Sequence, residues 1–141
     1  MATISPYLNF NGNCEAAFLF YQSVFGGEFT FMGRFKDMPS EETLTEEQGN
    51  KIMHVSLPIS GDIHLMGSDT MEAANAATSS NISISINATS EEEAHRLFDG
   101  LSKGGKTTMP LQKTFWGALF GMFTDSFGVN WMVNYDYEQK A

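Results

Sequence analysis

One order of local signals runs through this chain twice, and that repeat limits the folds open to it. In the first copy a strand-like run, Ile4 to Phe10, leads through Asn11-Gly12-Asn13 into Cys14 to Phe25, where Ala17, Phe18, Tyr21, Val24 and Phe25 form one apolar helical face. Gly26-Gly27 ends that helix, and strands are predicted over 28–35, 51–58 and 63–66. The second copy opens on Asn81 to Ile86, with Ile82, Ile84 and Ile86 alternating with serines. Ser90 and Glu93 then form a capping box before a helix with the apolar stripe Ala94, Leu97, Phe98 and Leu101. Gly104-Gly105 falls 78 residues after the first glycine pair, and strands over 106–109, 118–124 and 129–135 follow.

A four-stranded sheet with one helix covers only one of its faces, so neither unit is expected to stand alone. The expected organisation is a single α+β domain over 1–141. It comprises two βαβββ modules, about 3–70 and about 81–136, joined by an Ala/Thr/Ser/Asn-rich linker at about 71–80. Strand alternation turns Ile4, Leu8 and Phe10, like Ile82, Ile84 and Ile86, toward the helices. Ser5, Tyr7, Asn9, Asn81, Ser83 and Ser85 then take the opposite face.

Several function classes drop out. The chain carries 8 basic and 17 acidic residues, a net charge of -9, with the cations scattered along the sequence, so phosphate backbones are repelled and no nucleic-acid partner is expected. The longest apolar run, Ala16 to Tyr21, is far too short to cross a bilayer, and the N-terminus shows no secretory pattern. The one cysteine, Cys14, allows no internal disulfide and points to the cytoplasm. It is read as a packed residue, with activation by the dipole of the first helix as the alternative. The stretch between Phe35 and Lys51, holding Asp37, Glu41, Glu42, Glu46 and Glu47, is read as a solvated loop, with a flap over a pocket as the other option. Neither a Rossmann glycine turn nor a P-loop is present.

The opening Tyr7-Leu8-Asn9-Phe10-Asn11-Gly12, the Phe20-Tyr21 before Val24-Phe25-Gly26-Gly27, and the closing Asp125-Ser126-Phe127-Gly128-Val129-Asn130-Trp131 resemble the vicinal oxygen chelate superfamily. This is the glyoxalase, bleomycin-resistance and dioxygenase group, and the sequence is most similar to its PhnB-like branch. The resemblance implies an incomplete eight-stranded barrel, a ligand site on the concave inner face, and a homodimer. A demethylubiquinone methyltransferase label attached to that branch finds no cofactor-holding turn here. The superfamily's four metal positions fall on Ser5 (or Pro6), His64, Asn81 and Met132, of which only His64 suits a divalent ion, so no cofactor is expected. A non-standard set of His54, Asp62 and His64 is the alternative.

His64 and Asp62 are the candidate acid-base pair, about 6.5 to 7 Å apart on one strand and so in need of a bridging water or substrate. Tyr7, Asn9, His54, Ser83, Ser85, Trp116, Met122, Asn130 and Met132 are the candidate ligand contacts, supplying hydrogen bonds and an apolar wall. The expected function is metal-independent binding of a small organic molecule, cationic or amphipathic given the acidic charge. The alternative is a lyase or isomerase centred on His64.

Overall fold

The computed structural model describes residues 4–37, 43–61, 63–70 and 82–137. The chain divides into two compact units, Met1–Ala76 and Ala77–Ala141. The first runs β1 (Tyr7–Phe10), α1 (Cys14–Phe25), β2 (Phe31–Arg34), a 3-10 turn at Phe35–Asp37, α2 (Glu46–Asn50), β3 (Ile52–Ser60) and β4 (Ile63–Asp69). The second runs β5 (Ile84–Asn87), α3 (Glu91–Ser102), β6 (Lys106–Lys113), β7 (Ala118–Thr124) and β8 (Asn130–Asp136). Their sheets have the orders β1-β4-β3-β2 and β5-β8-β7-β6. In each unit the first strand pairs in parallel with the last and the other pairings are antiparallel. The duplicated βαβββ architecture is therefore present.

Helix α3 buries the whole stripe its periodicity marks, and α1 buries all but its last turn, where Val24 and Phe25 are only half-buried. Ala17, Phe18 and Tyr21 of α1 are fully buried, and α1 packs on β3 and β4. Ala94, Leu97, Phe98 and Leu101 of α3 are buried as well, against β6, β7 and β8. One packing device occurs in both modules. A Cβ placed on Gly67 of β4 would lie 2.7 Å from the Phe18 ring, and one on Gly121 of β7 would lie 2.6 Å from the Phe98 ring. The glycines let a helix phenylalanine rest directly on the strand backbone. The repeated glycine pair ends both helices because Gly26 and Gly104 adopt φ of +81° and +79°, a region costly for residues with a Cβ.

Two buried carboxylates act as connectors. Asp69, at the end of β4, accepts from the backbone N–H groups of Gly12, Cys14 and Ile52 at 2.9, 3.0 and 2.9 Å, holding the start of α1 to the start of β3. Asp125, in the β7–β8 turn, accepts from the N–H of Phe127 and Val129 and from the Trp131 indole.

The structure departs from expectation at several ends. Ile4 and Ile82 are 90% and 69% exposed and precede β1 and β5, so neither joins a buried face. Strands β4 and β6 run further than expected, β6 with two register shifts that absorb Pro110 in an edge strand. Ser90 caps α3, but Glu93 reaches back to the N–H and hydroxyl of Thr89 instead of completing the box with Ser90. Part of the acidic stretch is helical: Thr45 and Gln48 form a reciprocal capping box that starts α2. The linker at 71–80, Asn81 and Asp62 lie outside the described residues.

Candidate functional site

In the first module the register places Tyr7 and Asn9, His54 and Ser56, His64 and Met66, and Phe31 on the face turned away from α1. Two side-chain groups form there. In the first, the Tyr7 hydroxyl lies 3.1 Å from His54 Nδ1, and the two rings stack at 5.6 Å with 29° between their planes. Phe31 approaches the same imidazole at 5.7 Å. Gly33, directly across from His54 on β2, puts no side chain beside the ring. Tyr7 and Phe31 remain 44% and 42% exposed, so three rings make an open platform with a hydroxyl–imidazole pair at its edge. Such a surface offers π faces to a cation and a polar contact to anchor it.

The second group is Ser56 with His64. The Ser56 Oγ lies 3.0 Å from His64 Nδ1, and Ser56 is buried. This contact fixes the imidazole and leaves Nε2 as the nitrogen a substrate would meet. Sequence reading paired His64 with Asp62, which lies outside the described residues, and missed Ser56. The serine can be found only from the register, because it sits diagonally across the β3–β4 ladder.

The structure does not bring His54 and His64 together. His64 lies opposite Pro58, four residues along β3 from His54, or about 13 Å in the strand direction. The proposed set of two imidazoles and a carboxylate is corrected accordingly: each histidine belongs to its own group. Among the described residues, no three His, Cys, Asp or Glu side chains cluster to hold an ion. Cys14 is fully buried, and desolvation, followed by the nearby charges of Asp69 and Glu15, pushes its thiol far above the usual range. The dipole-activated reading is thereby overturned.

In the second module Ser85, Met132 and Met122 share the face away from α3; Ser85 pairs with Met132 and Met132 with Met122. Asn130 belongs to that face too, its amide oxygen accepting from the Thr124 hydroxyl at 2.7 Å. Ser83 is exposed just before β5. Trp116 stands apart in the β6–β7 turn, 58% exposed, against Phe115 at 4.9 Å and Phe120 at 6.3 Å. His95 is exposed on α3.

The model of the Glyoxalase/Bleomycin resistance protein/Dioxygenase superfamily matches residues 3–133. The chain belongs to this superfamily. Protein YjdN of Escherichia coli (strain K12) is 35% identical over 146 residues, covering 98% of both chains. The crystal structure of protein PA1353 from Pseudomonas aeruginosa is 46% identical with a TM-score of 0.86, covering 96% of this chain and 98% of that one. The PhnB protein from Bacillus cereus, which carries a 3-demethylubiquinone-9 3-methyltransferase name, is 25% identical with a TM-score of 0.77 over 95% of this chain and 99% of its own. These likenesses agree with the PhnB-like branch. At the metal positions that the resemblance implies, the chain has a hydroxyl at Ser5 (or Pro6 one residue on), an imidazole at His64 whose Nδ1 meets Ser56, an amide at Asn81 and a thioether at Met132, so that only His64 is a good ligand. That donor set does not fit a catalytic divalent ion.

Proposed function

We propose that this superfamily member is a metal-independent binder of small organic molecules, cationic or amphipathic and aromatic, received on the Tyr7–His54–Phe31 platform. The observation that carries the reading is that platform: the rings of Tyr7 and Phe31 beside the His54 imidazole, both more than 40% exposed on a sheet face. A net charge of -9 draws cations toward the protein, and the π faces supply short-range attraction. Asn9 lies on the same face as the platform, and the second module carries candidate contacts of its own in Ser83, Ser85, Asn130, Met122, Met132 and Trp116. The two modules work as one domain, in a homodimer, in the cytoplasm. Light scattering should give twice the 15.6 kDa of the chain.

The test is a thermal-shift and calorimetric screen of quaternary ammonium and planar cationic aromatic compounds. Hits should stabilise the protein, and Tyr7→Ala with Phe31→Ala should weaken them about tenfold or more. A screen in which no cationic compound binds, or hits indifferent to both substitutions, defeats the reading.

The Ser56–His64 contact favours a second reading, acid-base catalysis at His64 Nε2 in a lyase or isomerase reaction. Turnover of any substrate that falls by about a hundredfold in His64→Gln, with binding retained, would establish it.

A further inference from the structure

The eight cations look scattered along the sequence, but the fold gathers three of them. Arg34, Lys36 and Lys51 line a cleft of about 620 Å³ in the first module, together with Gly12, Glu15, Glu47 and Asn50. The volume is in the range of small-molecule sites. Asn50 draws two of the cations together: its carbonyl accepts from Arg34 Nη1 at 2.9 Å and its Oδ1 from Lys36 Nζ at 3.0 Å. Gly49 leaves room for the stem of Lys36, since a Cβ there would come within 3.2 Å of Lys36 Cβ. Arg34 is fixed further by Glu15, and that pairing raises its pKa above the ordinary value.

The lysines are different. In a chain with 17 carboxylates, neither Lys36 nor Lys51 forms an ion pair among the described residues; Lys36 meets an amide oxygen, and Lys51 the carbonyl of Thr70 at 3.5 Å. Two ammonium groups thus border one cleft with only neutral oxygens hydrogen-bonded to them, and each retains donor hydrogens. Of the two carboxylates in the lining, Glu15 is paired with Arg34 and Glu47 forms no ion pair among the described residues. We propose that this cleft is an anion site for a small molecule bearing more than one oxyanion, a phosphate ester or a polycarboxylate. It uses none of the residues assigned to the aromatic platform. Bidentate contact with Arg34 is limited by its existing partners, so the lysines supply the main attraction and Arg34 orients the ligand.

The experiment is calorimetric titration of the whole chain with pyrophosphate and, separately, with citrate, at low ionic strength. At least one should bind at a single site, weaken as salt is raised, and lose about tenfold or more in Lys36→Gln/Lys51→Gln. Lys103→Gln/Lys106→Gln, with the same change in net charge, should bind as the parent does. Preference for pyrophosphate identifies a phosphate ester; preference for citrate identifies a polycarboxylate. Circular dichroism checks the fold, and Lys36→Gln, at an exposed position, carries the test alone if the double variant unfolds. Binding of neither anion, or equal weakening in both double variants, overturns the proposal.

Discussion

Asp69 is the most exposed to test of the structural residues, because one carboxylate serves three backbone donors from two separate segments. In Asp69→Ala the N–H groups of Gly12, Cys14 and Ile52 lose acceptors at 2.9, 3.0 and 2.9 Å in a site only 4% exposed. Each buried donor left without its charged partner costs about 1–3 kcal/mol, and water entering the vacated volume recovers part of that, so the net loss should be about 3–5 kcal/mol. Against a total stability of about 5–15 kcal/mol this is a large fraction, with an expected fall in melting temperature of about 10–17 °C. Asp69→Asn, which keeps the shape but aims an amide at one group of donors, should lose about half as much. Urea unfolding followed by far-ultraviolet circular dichroism measures the loss. Native-state hydrogen exchange should also show the Gly12, Cys14 and Ile52 amides opening first. Asp99→Ala, exposed on α3, is the control and should be near neutral. A loss below about 1 kcal/mol in Asp69→Ala, or unchanged exchange at those amides, would show that the carboxylate does not hold α1 to β3.

Gly67→Ala should cost about 1–3 kcal/mol, because the methyl meets both the Phe18 ring and the Leu8 carbonyl at 2.8 Å, and Phe18→Leu in the same chain should recover part of it; additive losses would contradict the packing described. Asp125→Ala should destabilise by about 2–4 kcal/mol and speed exchange of the Trp131 indole proton, read by nuclear magnetic resonance. Cys14 should resist thiol reagents at pH 8 until the protein unfolds. Because its pKa is raised in the folded state from the ordinary 9.0, the unfolded chain releases this proton first. Stability from this group is therefore complete below pH 9.0 and declines above it, and Cys14→Ala should flatten the alkaline limb of the stability profile.

Much of the fold was legible because it rests on local periodicity. The stripe Ala94, Leu97, Phe98, Leu101 is buried throughout, and of the stripe Ala17, Phe18, Tyr21, Val24, Phe25 the first three are buried while the last two, at the end of the helix, are half-buried. The start of β1 was less legible: Ile4 continues the alternation but precedes the strand and is exposed, and β1 begins where Tyr7 pairs with Met66. The helix α2 was hidden by composition, since Glu46 and Glu47 read as solvated charge while the Thr45–Gln48 box went unnoticed. The candidate residues Tyr7, His54 and His64 were readable as types, but their partners were not. Whether His54 meets Tyr7, and His64 meets Ser56, depends on register across three strands, which no local pattern states. The gathering of Arg34, Lys36 and Lys51 is of the same kind: 16 residues of chain lie between the first and the last, and only the fold makes them neighbours.

The glycine notches that seat Phe18 and Phe98 divide the labour between the two sides of a strand. On β4, Gly67 governs how closely the helix sits, while its neighbours Met66 and Ser68 point to the side that would meet a ligand. Volume can then be traded between glycine and phenylalanine on one side while chemistry is rewritten on the other. Such a protein can drift in specificity without renegotiating its core, and an engineer can stiffen the scaffold without disturbing what it recognises.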